Sequence, residues 1–527
     1  MIVEFPEYTP DLPAINNPGM TLLENVVPLG NSYGSFQKLV ASSTALNSYP
    51  KGFYAARDPT AGTSINFAGT ATKLYRLNSG VWTDVSIAAN YSLPAEEDWQ
   101  FTQFGDRVIA VSIDGDMQSY QIGVSALFAN LSSDSTRPYA RHVDVVKDFV
   151  VVGNTYDSTD GFVPYRVRWS KPNDATVWDV SALNQTDYND LDASDGWING
   201  VIGGEYGVIF QERAITTMHY VGPPAIWEFK VAEINQGTTF PRAFAQIGNL
   251  IYYIGIDGFY VFDGYKSTPI GENKVDQTFF NTVNMHFRHR VTAAVDYNRR
   301  LIIWSYPDSG TNVDGQPGRM IIYNYGTSSN KKWGAVIYNH EMIVNDYTEG
   351  YSMDPADGSE SNITPITTLG YWQINIQGLA TPDLDQLPFS LDSQVWSGKD
   401  FQLSGFDTTY KLGQFTGDPL TARLDTPEVE LNSGLRTRLL RVRPIVDGAW
   451  GTRTVQIGYR NIQSETPTYT GASTVNSTGD CPVRNNARYQ RLRLNIEYEG
   501  TALNPTQTAF ENAIGIEILE QRAEGKR

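Results

Sequence analysis

The sequence predicts an all-β protein whose central part is a β-propeller of six or seven blades, followed by a β-sandwich-like domain. Three observations lead to this fold class. The chain of 527 residues is rich in glycine (46), tyrosine (30), phenylalanine (23) and tryptophan (11), and aromatic strands between glycine turns are typical of all-β proteins. One hairpin sequence occurs twice, and the alternation of apolar and polar residues becomes longer and more regular after about residue 420.

The repeated hairpin is GDRVIAVSIDGDMQSYQ at 105–121 and GNLIYYIGIDGFYVFDG at 248–264. Apolar runs on both sides of Asp-Gly are the strongest local signal of a β-hairpin, and such a turn needs positive φ at both central residues. We therefore interpret the acidic residues of both turns as structural rather than catalytic. Without a gap, the alignment pairs Gly105 with Gly248, Asp114 with Asp257, and Gly115 with Gly258.

The spacing of the two copies predicts a propeller. They lie 143 residues apart, which divides into three steps of about 48 residues, close to the ~40–50 residues of a four-stranded blade. Runs such as IYYIGI are apolar without strict alternation, as expected for sheets buried on both faces. We place the propeller at residues 41–415. An irregular tandem of β-sandwich domains is the alternative.

Charge and composition set further limits. The net charge is −18, and residues 421–527 contain 14 basic and 12 acidic residues, which leaves 26 basic and 46 acidic residues in 1–420. The uneven distribution of charge predicts a domain boundary near residue 420. The net negative charge argues against a general nucleic-acid-binding surface. With one cysteine, no intrachain disulfide is expected. We find neither 18 consecutive apolar residues nor a secretory signal, so we expect a soluble chain without a membrane-spanning segment.

The C-terminal region, 416–527, predicts regular strands with one apolar face. In YQRLRLNIEY the residues Leu492, Leu494 and Ile496 share a face, and in AIGIEILE we expect all three isoleucines, at 514, 516 and 518, to point inward. In LRTRLLRVR the arginines change parity across Leu439–Leu440, which predicts a β-bulge.

Motifs that carry chemistry are scarce. HFRH contains His286 and His289 but lacks the carboxylate of a zinc motif, and SIDGD at 112–116 lacks most ligands of a calcium loop. SLDSQVW at 390–396 is similar to a sialidase Asp box without its glycine. No nucleophile elbow or phosphate loop is present. We therefore expect no enzyme activity, and assign no catalytic, cofactor-binding or metal-binding residue and no cofactor.

Three blocks of the sequence resemble the tail nozzle, or packaged-DNA stabilisation (tail hub), proteins of short-tailed bacteriophages. They are PDLPAINNPGMTLLENVVPLGNSYGSFQ (10–37) with the segment that follows it, YVFDGYKSTPIGENKVDQTFFNTVN (260–284), and the C-terminal AIGIEILEQRAEGKR. The resemblance spans nearly the whole chain. It implies a propeller that carries a platform built from both chain ends, so that residues 1–40 join residues 416–527.

The resemblance also implies a function. Six copies would form a ring in the virion tail below the portal and its adaptor, close the tail channel, retain packaged DNA and open for DNA ejection. Such a protein is assembled in the bacterial cytoplasm, and tail fibres or tailspikes are possible partners. Double-stranded DNA would pass without sequence-specific binding. An acidic propeller suits a conduit, because a wall that attracted phosphates would hold the DNA.

Arginines of the C-terminal region form our predicted docking face for acidic neighbours, since the guanidinium group pairs bidentately with carboxylates. An ordinary solvated strand face is the alternative. We expect the loops 307–319, 350–366 and 376–400 to contribute a channel constriction or a fibre contact. The arginines are Arg436, Arg438, Arg441, Arg443, Arg491 and Arg493.

Two other functions stay open. A receptor-binding propeller would stack host sugars on exposed aromatic residues such as Trp372 and Trp396. A propeller glycosidase would use paired carboxylates, or a tyrosine nucleophile as in sialidases.

Overall fold

The computed structural model describes residues 1–14, 17–60, 63–87, 91–310, 314–328, 331–347, 401–448, 452–498 and 510–525. The all-β prediction is confirmed, since strands dominate these residues. Four short strands begin the chain, and a fifth follows them: β1 (Ile2–Glu4), β2 (Leu23–Glu24), β3 (Val26–Pro28), β4 (Tyr33–Ser35) and β5 (Val40–Ala45).

Seven four-stranded antiparallel sheets then follow along the described chain. Sheet 1 is β6 (Gly52–Arg57), β7 (Ser64–Gly69), β8 (Leu74–Asn78) and β9 (Val81–Asp84); sheet 2 is β10 (Gln100–Phe104), β11 (Arg107–Val111), β12 (Gln118–Gln121) and β13 (Ala129–Asn130). Sheet 3 is β14 (Tyr139–Val146), β15 (Phe149–Asp157), β16 (Gly161–Trp169) and β17 (Asp187–Asp190); sheet 4 is β18 (Ile198–Ile202), β19 (Gly207–Gln211), β20 (Ala214–Gly222) and β21 (Ile226–Ile234).

The remaining three sheets complete this series. Sheet 5 is β22 (Ala245–Ile247), β23 (Leu250–Ile254), β24 (Phe259–Phe262) and β25 (Ser267–Pro269), and it is followed by the short helix α1 (Asp276–Thr282) and a 3₁₀ segment, Met285–Arg290. Sheet 6 is β26 (Thr292–Asp296), β27 (Leu301–Pro307), β28 (Pro317–Asn324) and β29 (Trp333–Ile337). Sheet 7 is β30 (Met342–Tyr347), β31 (Phe401–Phe406), β32 (Lys411–Gln414) and the N-terminal strand β5.

Each sheet packs on the next through its own apolar cluster, and the series closes on itself. For example, Phe67 of sheet 1 packs with Val108 of sheet 2, and equivalent clusters join every following pair. The last cluster joins Phe406 of sheet 7 to Trp82 of sheet 1. A closed series of four-stranded sheets is the arrangement of a β-propeller. Strand β5 supplies the fourth strand of the last sheet, so strands from both ends of the propeller pair across its closure.

The C-terminal strands and β1–β4 form two six-stranded sheets. Their further strands are β33 (Ala422–Asp425), β34 (Arg436–Gly448), β35 (Thr452–Arg460), β36 (Thr468–Tyr469), β37 (Ser473–Thr474), β38 (Cys481–Ala487), β39 (Tyr489–Glu497) and β40 (Phe510–Glu524). The first terminal sheet has the order β3-β4-β40-β34-β38, with β1 paired to β40. The second has the order β2-β33-β39-β35-β36, with β37 paired to β35. One apolar core contains residues of both sheets.

Two irregularities shape the first terminal sheet. The predicted β-bulge is confirmed, since the pairing of β34 shifts register between Leu439 and Arg441. The prediction for Ile514 is wrong. Strand β40 carries a further register shift there, because Gly515 and Ala513 oppose consecutive residues of β34. Ile514 is therefore turned outward and is 37 % exposed, whereas Ile516 and Ile518 are buried.

The repeated hairpins are the second and third strands of sheets 2 and 5, but their Asp-Gly residues do not adopt the predicted turn. Asp114 and Gly115 lie in the longer loop between β11 and β12, Asp257 and Gly258 lie in a four-residue loop, and none of the four has positive φ. The positive φ of the repeat belongs to the preceding turn, where Gly105 and Gly248 both have φ 61°. A two-residue hairpin with glycine first needs that conformation.

Gly258 has a different physical role. A Cβ atom there would come within 2.5 Å of Asp276 Oδ2, and the backbone N–H of Phe259 donates to Asp276 Oδ1 at 3.0 Å. Burial, with a smaller contribution from the carboxylates of Asp11, Asp257 and Glu272, raises the pKa of the Asp276 carboxyl to about 7 against the opposing effect of the Phe259 N–H.

This raised pKa predicts a pH-dependent stability. The folded state binds the Asp276 proton more tightly than the unfolded state, so this contribution is complete below pH 4 and is lost as the pH rises to about 7. Asp276→Asn should therefore be more stable than the native chain at pH 8, by about 1–2 kcal/mol, and should lose that advantage at pH 4.5. Urea unfolding at pH 8 and at pH 4.5 measures the difference in the free energy of unfolding between the variant and the native chain. The control is Asp263→Asn, because backbone N–H groups lower the pKa of Asp263; an equal gain in that variant would contradict the assignment.

Candidate binding site at the propeller axis

The segments that enter the first strands of several sheets converge at one end of the propeller axis. They come from the starts of sheets 2 to 6 and enclose a cavity of about 280 Å³. In each sheet the consecutive strands are antiparallel, so the chain enters the first strand at this end, turns back at the other end and returns here. The loops between the second and third strands therefore lie at the same end as the cavity. The segments are 96–100, 141–142, 197–199, 239–242 and 285–289.

An arginine–carboxylate pair forms one wall. Arg141 Nη2 lies 2.5 Å from Glu97 Oε1, and Arg141 Nε donates to both carboxylate oxygens at 3.1–3.2 Å. The Arg141 guanidinium also lies 5.1 Å from the ring centre of Trp197 and 5.4 Å from that of Phe162. These distances allow cation–π attraction. The guanidinium therefore joins the acidic connection of sheet 2 to aromatic residues of sheets 3 and 4.

A largely buried charge cluster adjoins the cavity, whose lining includes Asp98 and Arg242. Arg242 Nη1 lies 3.1 Å from Asp98 Oδ2, and Lys51 Nζ lies 3.9 Å from Asp98 Oδ1. The Lys51 ammonium donates to three backbone carbonyls, those of residues 94, 95 and 97, at 2.7–2.9 Å. Burial raises the pKa of Asp98 and lowers that of Lys51, while their mutual attraction opposes both shifts. The cluster connects sheets 1, 2 and 5 across the axis.

A second pair extends this cluster to sheets 6 and 7. Arg290 Nη2 donates to Glu341 Oε2 at 2.7 Å, and its guanidinium lies 3.9 Å from the ring centre of Tyr49. Buried ion pairs cost desolvation and depend on complete pairing. Arg290 therefore brings together side chains of the connections that precede sheets 6, 7 and 1.

Histidines contribute neutral imidazoles. Burial lowers the pKa of His142 to about 3, with Arg141 adding to the effect. Burial also lowers the pKa of His289 to about 4, helped by the nearby cations of Lys51 and Arg242. Both rings are uncharged at neutral pH and can donate or accept hydrogen bonds. His286 lies at the exposed rim, so both histidines of the HFRH motif belong to this cavity.

No family model and no curated protein matches this chain. The solved structures that are similar to it include the following two. The first is the computationally designed protein Ika8, with 10 % identity, coverage of 72 % of this chain and 98 % of that chain, and a TM-score of 0.33. The second is YCF48 bound to D1 peptide, with 11 % identity, coverage of 58 % and 88 %, and a TM-score of 0.34. The propeller assignment accordingly rests on the seven sheets and their closure.

The predicted docking arginines do not form one face. Arg436, Arg438, Arg441 and Arg443 lie on β34 of the first terminal sheet, whereas Arg491 and Arg493 lie on β39 of the second. The prediction of a six-arginine face is therefore wrong.

The two arginines of β39 are occupied within the protein. Arg493 donates to both oxygens of Asp425 at 2.6 and 2.8 Å, and Asp425 is 1 % exposed. Arg491 lies 3.5 Å from Glu428, which also holds Arg460 at 2.7 Å. Since both side chains are largely buried and paired with carboxylates of the same chain, they are not available for docking.

The arginines of β34 lie on an exposed face. The side chains of Arg438, Arg441 and Arg443 are 44–50 % exposed, and they pair with acidic residues of β40 and with Asp480, which is itself largely buried. Exposed Arg484 and Arg522 lie on the neighbouring strands β38 and β40. We call this surface the arginine face of the first terminal sheet.

Other sequence predictions have different outcomes. The predicted loop 307–319 contains the connection between β27 and β28, but residue 307 belongs to β27 and residues 317–319 belong to β28. Residues 311–313 are outside the described residues. The loops 350–366 and 376–400, the SLDSQVW segment, Trp372 and Trp396 also lie outside the described residues. Asp116 of SIDGD pairs with Arg137 at 2.6 Å. Within the described residues no three His, Cys, Asp or Glu side chains could hold a metal ion, and no helix is long and apolar enough to span a membrane.

The axial cavity was missed from the sequence. Its residues are scattered over almost two hundred positions, and each looks ordinary in its local context. The available signal was positional. Most of these residues stand just before or at the beginning of the first strand of a sheet, so aligning the chain on its hairpins would have brought them together.

Proposed function

We propose that this chain is a structural virion protein that forms the tail nozzle of a short-tailed bacteriophage. In this proposal six copies form a ring below the portal and adaptor, close the tail channel, retain packaged DNA and open for ejection. The two terminal sheets serve as the platform of each subunit, and the propeller extends from it. The seven four-stranded sheets then correspond to seven blades.

One observation carries this proposal. The three sequence blocks that resemble nozzle proteins are far apart in the chain, yet they share one apolar core. That core contains Val26 and Tyr33 of the first block, Phe279 of the second and Ile516 and Ile518 of the third. A resemblance confined to unrelated surface segments would not have this property. The shared blocks instead describe one structural junction between the chain ends and the propeller.

Specific polar contacts fix the same junction. The Asp11 carboxylate accepts hydrogen bonds from the backbone N–H groups of Gln277 and Thr278, at 2.9 and 2.7 Å, and so caps helix α1 from outside. The Thr278 hydroxyl also donates to it at 2.6 Å. The Ser32 hydroxyl donates to Asn512 at 2.6 Å. Each contact joins residues of two different blocks or their immediate neighbours, which supports a common role for these blocks.

Charge distribution also supports a conduit. Residues 1–420 carry an excess of 20 acidic residues, so a ring of propellers would repel DNA phosphates that approach its wall. At physiological salt this repulsion acts over only about 8–10 Å. It would prevent adhesion without opposing the passage of DNA through the centre.

Immunogold electron microscopy of short-tailed phage particles tests the proposal directly. The antibody is raised against the purified chain, and the particles come from a phage lacking the gene and complemented in the host. Gold at the end of the short tail is the expected result. Label on fibres, or complete tails without label, would contradict it.

The same assay tests the arginine face as the surface that docks on an acidic neighbour. Reversing Arg438, Arg441 and Arg443 together to glutamate should abolish tail labelling, while the folded protein keeps its circular dichroism spectrum. The matched control reverses Arg213, Lys230 and Lys266, which are exposed on the propeller and change the net charge equally. Normal incorporation of the first variant would contradict docking through this face.

A further inference from the structure

A row of aromatic side chains leads to the axial cavity. Tyr139, Tyr156 and Phe162 are directly opposed on β14, β15 and β16, so they share one face of sheet 3. Tyr139 and Tyr156 stack with ring centres 5.6 Å apart, and Phe162 meets Trp197 edge to face at 5.5 Å. We call these four residues the aromatic row.

This row is exposed although its members are large. Tyr156, Phe162 and Trp197 are 40 %, 42 % and 45 % exposed. Single exposed apolar residues are normal, but contiguous ones mark a binding surface. Trp197 belongs to both the row and the cavity wall. The row and the cavity therefore form one continuous site.

Most buried charges of the cavity are already paired, which favours a neutral ligand; the exposed rim adds one charge of each sign, Glu96 and Arg288. Arg141 is paired with Glu97 and Arg242 with Asp98, and His142 is uncharged because burial lowers its pKa. An anionic ligand would have to compete with carboxylates that already hold the guanidinium groups. A ligand that brings hydroxyl groups would leave both ion pairs intact.

The base of the cavity offers acceptors for such hydroxyls. His142 is 2 % exposed, and its Nδ1 has no hydrogen-bond partner in the protein. Asp98 Oδ1 likewise accepts no hydrogen bond. Both atoms are shielded from solvent in this structure, and Asp98 Oδ1 faces the Lys51 ammonium at 3.9 Å, so a ligand hydroxyl reaches them only when side chains of the cavity wall shift. A buried polar atom without a partner is costly, and the hydrogen bond that it would gain favours this shift.

We propose that the aromatic row and the axial cavity bind a neutral carbohydrate. A sugar ring stacks its C–H face on Trp197, the terminal residue enters the cavity, and following residues lie along Phe162, Tyr156 and Tyr139. At about 280 Å³ the cavity is slightly smaller than the ~300–1,000 Å³ range of small-molecule sites. It therefore takes the end of a chain rather than a branched structure. This inference is independent of the nozzle proposal.

The test uses the full chain on an array of short oligosaccharides of hexoses and N-acetylhexosamines, with sialylated and sulfated glycans and single-stranded oligothymidine included. Binding to neutral glycans is expected, with a Kd that changes less than about twofold between low and high salt, because screening acts on charges. Trp197→Ala should weaken binding about tenfold, and Trp197→Phe should retain most of it. Calorimetry with the best glycan measures each Kd.

Tyr265→Ala is the matched control. Tyr265 is an aromatic residue that is 83 % exposed, and it lies between β24 and β25, at the opposite end of the propeller. The Tyr265→Ala substitution should leave the Kd for the glycan unchanged. Several results would overturn the proposal: no neutral glycan bound, preference for anionic glycans or oligothymidine, equal loss in both variants, or a change of oligomeric state in Trp197→Ala that shows a second copy to be the occupant.

Discussion

Replacing Arg493 by glutamate is expected to destabilise the protein by about 3–5 kcal/mol, the usual cost of breaking a buried ion pair. Arg493 and Asp425 form a bidentate pair, and the Tyr469 hydroxyl donates to the same carboxylate at 2.7 Å. The Arg493 guanidinium also lies 3.8 Å from the ring centre of Tyr469. The substitution would place two carboxylates together below that ring.

Urea unfolding of the variant measures this loss. Arg438→Glu is the matched control, since Arg438 lies 3.4 Å from Glu524 with a side chain that is 49 % exposed. It should cost at most about 1 kcal/mol. The double variant Arg493→Gln with Asp425→Asn should recover part of the loss, because no unpaired charge stays buried. Equal effects of Arg493→Glu and Arg438→Glu would show that the Arg493 pair is not a buried one.

This prediction changes how docking can be tested. Sequence alone assigns Arg491 and Arg493 to an open face, because they alternate with leucines of a core. The alternation is real, yet Arg491 is only 8 % exposed and Arg493 is held by Asp425. Their partners, Asp425 and Glu428, lie more than sixty residues earlier in the chain. Periodicity reports the face of a residue and carries no information about what covers that face.

Local features of the fold could be predicted, because hairpins are local. The duplicated hairpin does mark equivalent strands of sheets 2 and 5, which are three sheets apart, in keeping with the estimated step of about 48 residues. Its turn chemistry was assigned to the wrong residues. Gly105 and Gly248 supply the positive φ, whereas Gly258 is needed for the close approach of Asp276.

Non-local features could not be predicted from residue patterns. Strand β5 reads VASSTA and is almost wholly exposed, so neither apolar periodicity nor β-propensity assigns it to the last sheet. Its pairing with Gly413, more than 350 residues away, is determined by the closure of the propeller. The axial cavity has the same cause, since it exists only when five distant connections meet. The outward turn of Ile514 likewise depends on a bulge set by its partner strand.

Trp333→Ala should weaken the propeller and the terminal sheets together. Trp333 is fully buried at the start of β29, its ring centre lies 4.9 Å from that of Tyr323 and 5.3 Å from that of Phe259, and its Nε1 donates to the Ile270 carbonyl at 3.3 Å. Removing a buried tryptophan costs about 3–5 kcal/mol. Trp197→Ala is the control of the same residue type; Trp197 is 45 % exposed and contacts Phe162 and Arg141, so its loss should cost only about 1 kcal/mol.

The decisive measurement is native-state hydrogen exchange. One apolar core runs from Trp304 and Trp333 of sheet 6 to Val26 of the N-terminal segment and to Leu494 and Ile516 of the terminal sheets. The N–H of Asn25 also donates to the Ala335 carbonyl, across the same boundary, at 2.8 Å. Since this apolar core is continuous between the two parts, we expect Trp333→Ala to lower amide protection in β29, β39 and β40 by similar factors. The opposite result would be a loss of amide protection that is confined to sheets 5 and 6, with β39 and β40 still fully protected. It would show that the terminal sheets unfold independently and that the junction is a hinge.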